Sequence, residues 1–360
     1  MDLVSENIRT IIPYSPGKPI EELERELGIK GSIKLASNES PLGPSKKAMA
    51  AIKVALGNLH RYPDGGGYYL RKALSERHNI EQDHIVLGNG SNEVIEMFVR
   101  TFLRQGDEAI MANPSFVVYP MVVQAAYGKN VIIPLKEGRH DLDEMAKRVT
   151  DRTRIIFIAN PNNPTGTINT ETEFCSMMDK IPEKVLVVVD EAYYEYVTSE
   201  DYPDTMKYLR EGRNIIILRT FSKIYGLAGL RVGYGITKKE FVNEMNKVRQ
   251  PFNTNSLAQI GALAALSDYG HVEEGKKINE EGKRFLYNEF NSMGIKYLPT
   301  EANFIYIETE GNAFDLYERL LKDGVIVRPM GKRNLRVTIG LPVENSRFIE
   351  SFKKVLKGVS

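Results

Sequence analysis

The sequence predicts an α/β fold in which a mostly parallel sheet lies between helices, followed by a smaller α+β part. Three observations predict it. Short apolar runs with little polar alternation recur through the first two thirds of the chain, at 84–87, 108–112, 154–159, 184–189 and 214–219, as expected of strands covered on both faces. Segments of helical periodicity separate most of them, and that alternation implies parallel pairing, because a crossover helix returns the chain to the same end of the sheet. After about Asn255 the pattern changes to long helices and short strands.

At 360 residues the chain suits two lobes better than one compact core. The expected division is a large lobe over 41–255 and a smaller one formed by 1–40 with 256–360. Charge is balanced, 48 Lys and Arg against 47 Asp and Glu, with no basic block; that argues against nucleic acid or an anionic membrane as partner. Cys175 is the only cysteine, so no intrachain disulfide can form and a reducing, cytoplasmic setting is expected. The five histidines are scattered without metal-ligand spacing, and no metal site is expected. Residues 109–128 carry no charge, but Asn113, Pro114, Ser115, Pro120 and Gln124 interrupt them. A strand, a turn and a buried helix fit that stretch better than a membrane span.

Taken in order, 13–19 is a turn-rich arm, and 20–27 is a helix stopped by Gly28. A strand at 33–36, an irregular loop at 38–44 and a helix from Ser45 to Leu56 follow. Arg61-Tyr62-Pro63-Asp64-Gly65-Gly66-Gly67-Tyr68 reads as a turn before a helix over 69–78. The strand at 84–87 passes through Gly88-Asn89-Gly90-Ser91-Asn92-Glu93 into a helix with the stripe Val94, Ile95, Phe98, Val99, Phe102 and Leu103. Further strands are expected at 131–135 and 231–236. The last part should hold helices at 256–267, 272–293, 313–321 and 346–356, with strands at 303–307, 325–328 and 334–339.

The chemistry-bearing residues fall at the carboxyl ends of the predicted strands, where open α/β sheets place their ligands. Lys223 follows the 214–219 run in Thr220-Phe221-Ser222-Lys223-Ile224-Tyr225-Gly226. Desolvated there, it can act as an amine nucleophile toward a carbonyl. Ser222 and Arg231 offer a hydroxyl and a permanent cation for a phosphate monoester. An aldehyde to capture and a phosphate to hold together suggest pyridoxal 5′-phosphate. Asp190 ends a near-pure valine strand and can pair with the ring nitrogen of such a cofactor. Tyr193, three residues on, can reach the ring's phenolic oxygen, and Asn163, in the turn after the 154–159 strand, is an amide donor at another strand's carboxyl end. The glycine turn at Gly90, with Ser91 and Asn92 opening a helix, presents free N–H groups to an anion. Phe116, after the 108–112 strand, can stack on a flat ring.

Asn163-Pro164-Thr165-Gly166, Asp190 with Tyr193, and Ser222-Lys223 with Arg231 eight residues on together resemble the fold-type-I pyridoxal-phosphate aminotransferases. Within that superfamily the Arg61–Tyr68 segment is most similar to the histidinol-phosphate aminotransferases. The resemblance implies a homodimer in which Tyr62 crosses to hold the neighbour's cofactor phosphate. It also implies a substrate site formed by Tyr14, Asn163, Arg336 and Arg328, and Lys223, Asp190 and Tyr193 as catalytic residues. Asn163, by the same resemblance, bonds the phenolic oxygen as Tyr193 does. The implied reaction converts glutamate and imidazole-acetol phosphate to 2-oxoglutarate and histidinol phosphate, in histidine biosynthesis. An aromatic amino-acid aminotransferase, or a decarboxylase of an amino-acid phosphate, would share nearly every cofactor residue. A binding protein that kept only the fold would be expected to have lost Lys223 or Asp190, and both are present.

Overall fold

The structure is a computed structural model and describes residues 3–357. After a two-residue strand, β1 (Ile33–Lys34), seven strands follow in the chain. They are β2 (Ile85–Gly88), β3 (Glu108–Asn113), β4 (Lys129–Pro134), β5 (Thr153–Ala159), β6 (Leu186–Asp190), β7 (Ile215–Thr220) and β8 (Gly233–Thr237). They form one sheet in the order β2-β8-β7-β6-β5-β3-β4. β4, β3, β5, β6 and β7 pair in parallel. β8 runs antiparallel to both its neighbours. The segment between β7 and β8 holds one turn of 3₁₀ helix, Ala228–Leu230, too little to carry the chain back across the sheet, so the next strand returns in the opposite sense.

β5, β6 and β7 are buried almost throughout, which is why their apolar runs lack alternation. The two faces of the sheet are covered separately. Ile217, Val187 and Ile158 face a cluster that includes Phe174, Tyr208 and Leu266, while Ile216, Val188 and Phe157 pack with Phe98, Tyr119 and Val123. The uncharged 109–128 stretch forms β3 and the Val118–Ala125 helix. Among the described residues no helix is long and apolar enough to cross a membrane.

The remaining strands are β9 (Tyr297–Leu298), β10 (Phe304–Glu308), β11 (Val325–Ile326), β12 (Arg328–Pro329) and β13 (Asn334–Thr338). β12-β13-β10-β9 is an antiparallel sheet with its own core, which includes Ile305, Leu320, Leu335, Val337, Phe348 and Phe352. The single strand expected at 325–328 is split. β11 pairs in parallel with β1, whereas β12 pairs with β13. Leu35 ties the two together, its N–H donating to Ile326 and its carbonyl accepting from Thr338. A period-two pattern cannot show such a division, because partner choice lies about 300 residues away. The Tyr269–Ser292 helix starts three residues before the expected 272, and the last helix, Pro342–Lys357, starts at a proline whose missing N–H a first helical position does not need.

Candidate active site

The site is built from the turns that leave β2, β3, β5, β6 and β7, which converge on a cavity of about 490 Å³. That volume suits a small organic ligand. Tyr14, Ser91, Asn92, Phe116, Asn163, Asp190, Tyr193, Ser222, Lys223, Arg231 and Arg336 all line it. Three expected residues do not. Gly90 lies just behind the lining. Arg328 instead donates to the Ser15 carbonyl at 2.7 Å and sits 5.7 Å from the centroid of the Tyr14 ring, so it braces the arm. Tyr62 is 82% exposed and stacks on Phe252 at 4.6 Å.

At the anion end, Gly90 precedes the Ser91–Phe102 helix with φ of 80°, a conformation that favours glycine. A Cβ there would stand 2.5 Å from Arg231 Nη2, and one on Gly233 would stand 2.4 Å from the Ser91 nitrogen. The backbone therefore lets a guanidinium lie directly over the helix's first turn. Arg231 Nη1 donates to Ser222 Oγ at 3.4 Å. Hydroxyls, a fixed cation and a helix N-terminus of twelve residues meet at one point, a donor set that matches a phosphate dianion.

Asp190 is buried at the end of β6. Its Oδ1 accepts from the Ala192 N–H at 3.1 Å and its Oδ2 from the Tyr119 hydroxyl at 2.8 Å. Burial pushes its pKa up to about 6, against the Tyr119 and Ala192 hydrogen bonds and the nearby Lys223 charge. A carboxylate so placed gains a great deal from a cationic partner. Glu191, the next residue, pairs with Arg219 on β7: its Oε2 accepts from Arg219 Nε at 2.9 Å and lies 2.8 Å from Nη2, and Arg219 lies 3.5 Å from the centroid of the Tyr194 ring. This buried pair links the end of β6 to the end of β7 and so fixes Asp190 relative to Lys223. Its worth is geometric; a buried pair adds little net stability over an apolar one.

Lys223 Nζ points to the Ser37 carbonyl at 3.5 Å and lies 5.4 Å from the centroid of the Tyr193 ring. The Tyr193 hydroxyl accepts from Asn38 Nδ2 at 2.9 Å, which leaves its own proton free to donate into the cavity. Asn163 is arranged alike. Its Oδ1 accepts from Arg336 Nη1 at 2.6 Å, so its amide N–H groups remain available. Arg336 on β13 also donates to the Ala36 carbonyl at 2.5 Å, while its Nε is buried without a partner. Burial lowers its pKa, and a guanidinium held this way invites an anion.

Sequence reasoning missed Asn38 and Tyr119. Asn38 sits in a loop with φ of 54°, fixed by Thr338 and Asn303 from the far end of the chain. Its left-handed conformation and buried amide have no periodic signature. Tyr119 lies three residues after Phe116 on the Val118–Ala125 helix; a phenol among Val118, Pro120, Met121, Val122 and Val123 is the signal that could have singled it out. Among the described residues no cluster of potential metal ligands occurs.

Residues 30–352 match the sequence model of the family described as "Aminotransferase class I and II". A relative from Moorella thermoacetica named histidinol-phosphate aminotransferase is 48% identical over 98% of this chain and 92% of its own length. Another, histidinol-phosphate aminotransferase 1 of Idiomarina loihiensis, is 46% identical over 99% of this chain and 98% of its own. Among solved structures, the histidinol-phosphate aminotransferase of Sinorhizobium meliloti in complex with pyridoxal 5′-phosphate superposes with a TM-score of 0.92. It is 25% identical and covers 100% of this chain and 99% of that one.

Proposed function

The chain belongs to the class I and II aminotransferases, and from that membership we propose that it transfers an amino group from glutamate to imidazole-acetol phosphate, giving 2-oxoglutarate and histidinol phosphate, with pyridoxal 5′-phosphate as cofactor. The observation that carries the reading is one cavity holding Lys223, the buried Asp190 carboxylate and the anion cup of Gly90, Ser222 and Arg231. The cradle under Arg231, which a Cβ would fill, and the paired carboxylate fit this cofactor.

When bound, the cofactor supplies a reactive carbonyl and a ring that draws electrons from the substrate's α-carbon. Ser91, Asn92, Ser222 and Arg231 would hold its phosphate, and Phe116 would offer a face to its ring. Asp190 keeps a proton on the ring nitrogen, and the free protons of Tyr193 and Asn163 serve the phenolic oxygen. Lys223 Nζ would hold the cofactor's carbonyl carbon and, once released by the amino donor, would carry the proton between the substrate α-carbon and that cofactor carbon, on the far side of the amino nitrogen. Arg336, with Tyr14 at the cavity wall, receives the anionic end of either substrate. Val118, Met121 and Val122 give the substrate's ring an apolar wall.

A substrate panel tests the reaction. The highest kcat/KM is expected for histidinol phosphate. Faster turnover of phenylalanine or tyrosine, or carbon dioxide release from threonine phosphate, would replace this reading with another on the same fold. Arg336→Lys keeps the charge but loses the planar fork. It should slow single turnovers with both glutamate and histidinol phosphate by roughly tenfold to hundredfold, as expected for a lost hydrogen bond to a charged group. Unchanged rates would reduce Arg336 to a brace for Asn163.

The enzyme acts as a homodimer in the cytoplasm in this reading. Between residues 54 and 69, Val54, Leu59, Tyr62 and Tyr69 are 83%, 57%, 82% and 71% exposed, and large apolar side chains left in water favour a partner that covers them. A second copy on that face would bring Tyr62 to its neighbour's anion cup. Mixed dimers of Tyr62→Ala and Lys223→Ala chains should therefore regain one intact site in two. No gain over either parent would confine Tyr62 to its own chain.

A further inference from the structure

Tyr119 is 1% exposed, yet its hydroxyl ends at the buried carboxylate of the cavity. It donates to Asp190 Oδ2 at 2.8 Å. The ring is held on two sides: it stacks on Phe157 at 4.7 Å and 13° and meets Phe116 edge-on at 5.4 Å and 79°. A donor clamped in this way keeps its direction. Burial, reinforced by the Asp190 charge, pushes the phenol's pKa well above its usual range, so it stays a neutral donor at every working pH.

We propose that Tyr119 is a positioning residue that decides where the proton shared by Asp190 and the cofactor's ring nitrogen resides. The proposal rests on the pyridoxal-phosphate reading above. A proton between a carboxylate and a pyridine nitrogen has two homes: ionised carboxylate with charged ring, or neutral acid with neutral ring. A hydrogen bond donated to the carboxylate stabilises the ionised form more than the neutral acid, so Tyr119 pushes the proton to the ring. Desolvation pushes it the other way, and the Tyr119 hydroxyl is the largest influence opposing desolvation at Asp190. Without that hydroxyl the proton moves toward the carboxylate, and the ring loses the charge that makes it an electron acceptor. The ratio of the two forms should change roughly tenfold to hundredfold, the effect of one hydrogen bond to a charged group.

The test is the ¹⁵N signal of ring-labelled pyridoxal phosphate in reconstituted wild type and Tyr119→Phe. Wild type should show the protonated position. Tyr119→Phe should move toward the unprotonated one, with kcat lowered and cofactor affinity little changed. If Tyr119 is only core packing, the variant loses melting temperature and cofactor affinity together while the nitrogen signal stays in place; that result overturns the proposal. Should the phenylalanine variant not fold, Tyr119→3-fluorotyrosine keeps the ring and makes a stronger donor. Its nitrogen signal must then lie at least as far toward protonated as in wild type, and movement the other way rejects the idea. A wild type that takes up no pyridoxal phosphate overturns the cofactor reading and this proposal together, whereas an unmoved signal in a loaded variant overturns this proposal alone.

Discussion

Lys223→Ala is expected to leave a folded protein with transamination reduced roughly 10,000-fold or more, at least the upper end of what one positioned proton-transfer group supplies. Lys223 sits in the turn after β7, held by neighbours that do not depend on its side chain: Phe221, Ile224 and Tyr225 are buried around it. Its amine makes one long contact, 3.5 Å to the Ser37 carbonyl, so truncation removes little packing. The loss is therefore chemical. Purified wild type should be yellow with bound pyridoxal phosphate, and borohydride should link the cofactor to Lys223. A peptide map placing the reduced adduct on another lysine would sink the assignment, and so would alanine-variant turnover within roughly 100-fold of wild type, the lower end of what one proton-transfer group supplies.

Asp190→Asn should bind pyridoxal phosphate yet lose roughly 100- to 1,000-fold in turnover, the usual effect of deleting one preorganised electrostatic partner. An amide keeps the size and the hydrogen-bonding reach of the carboxylate but not the charge that holds a proton on the ring. The same variant should also show what the site costs the fold. Burial raises the Asp190 pKa from 3.8 to about 6, so between about pH 4 and 6 the folded chain holds a proton that the unfolded chain has released. Folding stability at this residue is then greatest below pH 4 and falls as pH rises toward 6. The shift corresponds to on the order of 3 kcal/mol above pH 6. The cofactor-free Asn variant is expected to melt above cofactor-free wild type at pH 8 and level with it at pH 4. A wild type that melts higher at pH 8 would mean that the Tyr119 and Ala192 hydrogen bonds outweigh desolvation.

Both outcomes follow from the position of polar residues at strand ends, and that much is written locally. Asp190 follows four buried residues, Leu186, Val187, Val188 and Val189, in β6; Lys223 follows β7 after Thr220; Asn163 follows β5. Apolar runs mark the strands, and parallel strands joined by crossover helices put their carboxyl ends side by side. Gly90 and Arg231 were legible too, as a glycine turn opening a helix and a cation eight residues past the lysine.

By itself, then, the chain determined the parallel sheet, the cavity's place at its carboxyl edge and the chemical groups that reach it, because each depends on short-range periodicity and turn chemistry. Only the tertiary structure decided how those groups are tuned. Asn38 reaches Tyr193 across 155 positions and Tyr119 reaches Asp190 across 71. Arg336 reaches Asn163 across 173. The reversal of β8 and the splitting of 325–328 between two sheets are of the same kind. Each is a choice of partner made by closing a long loop and packing its ends, and no local pattern carries the identity of a partner so far along the chain.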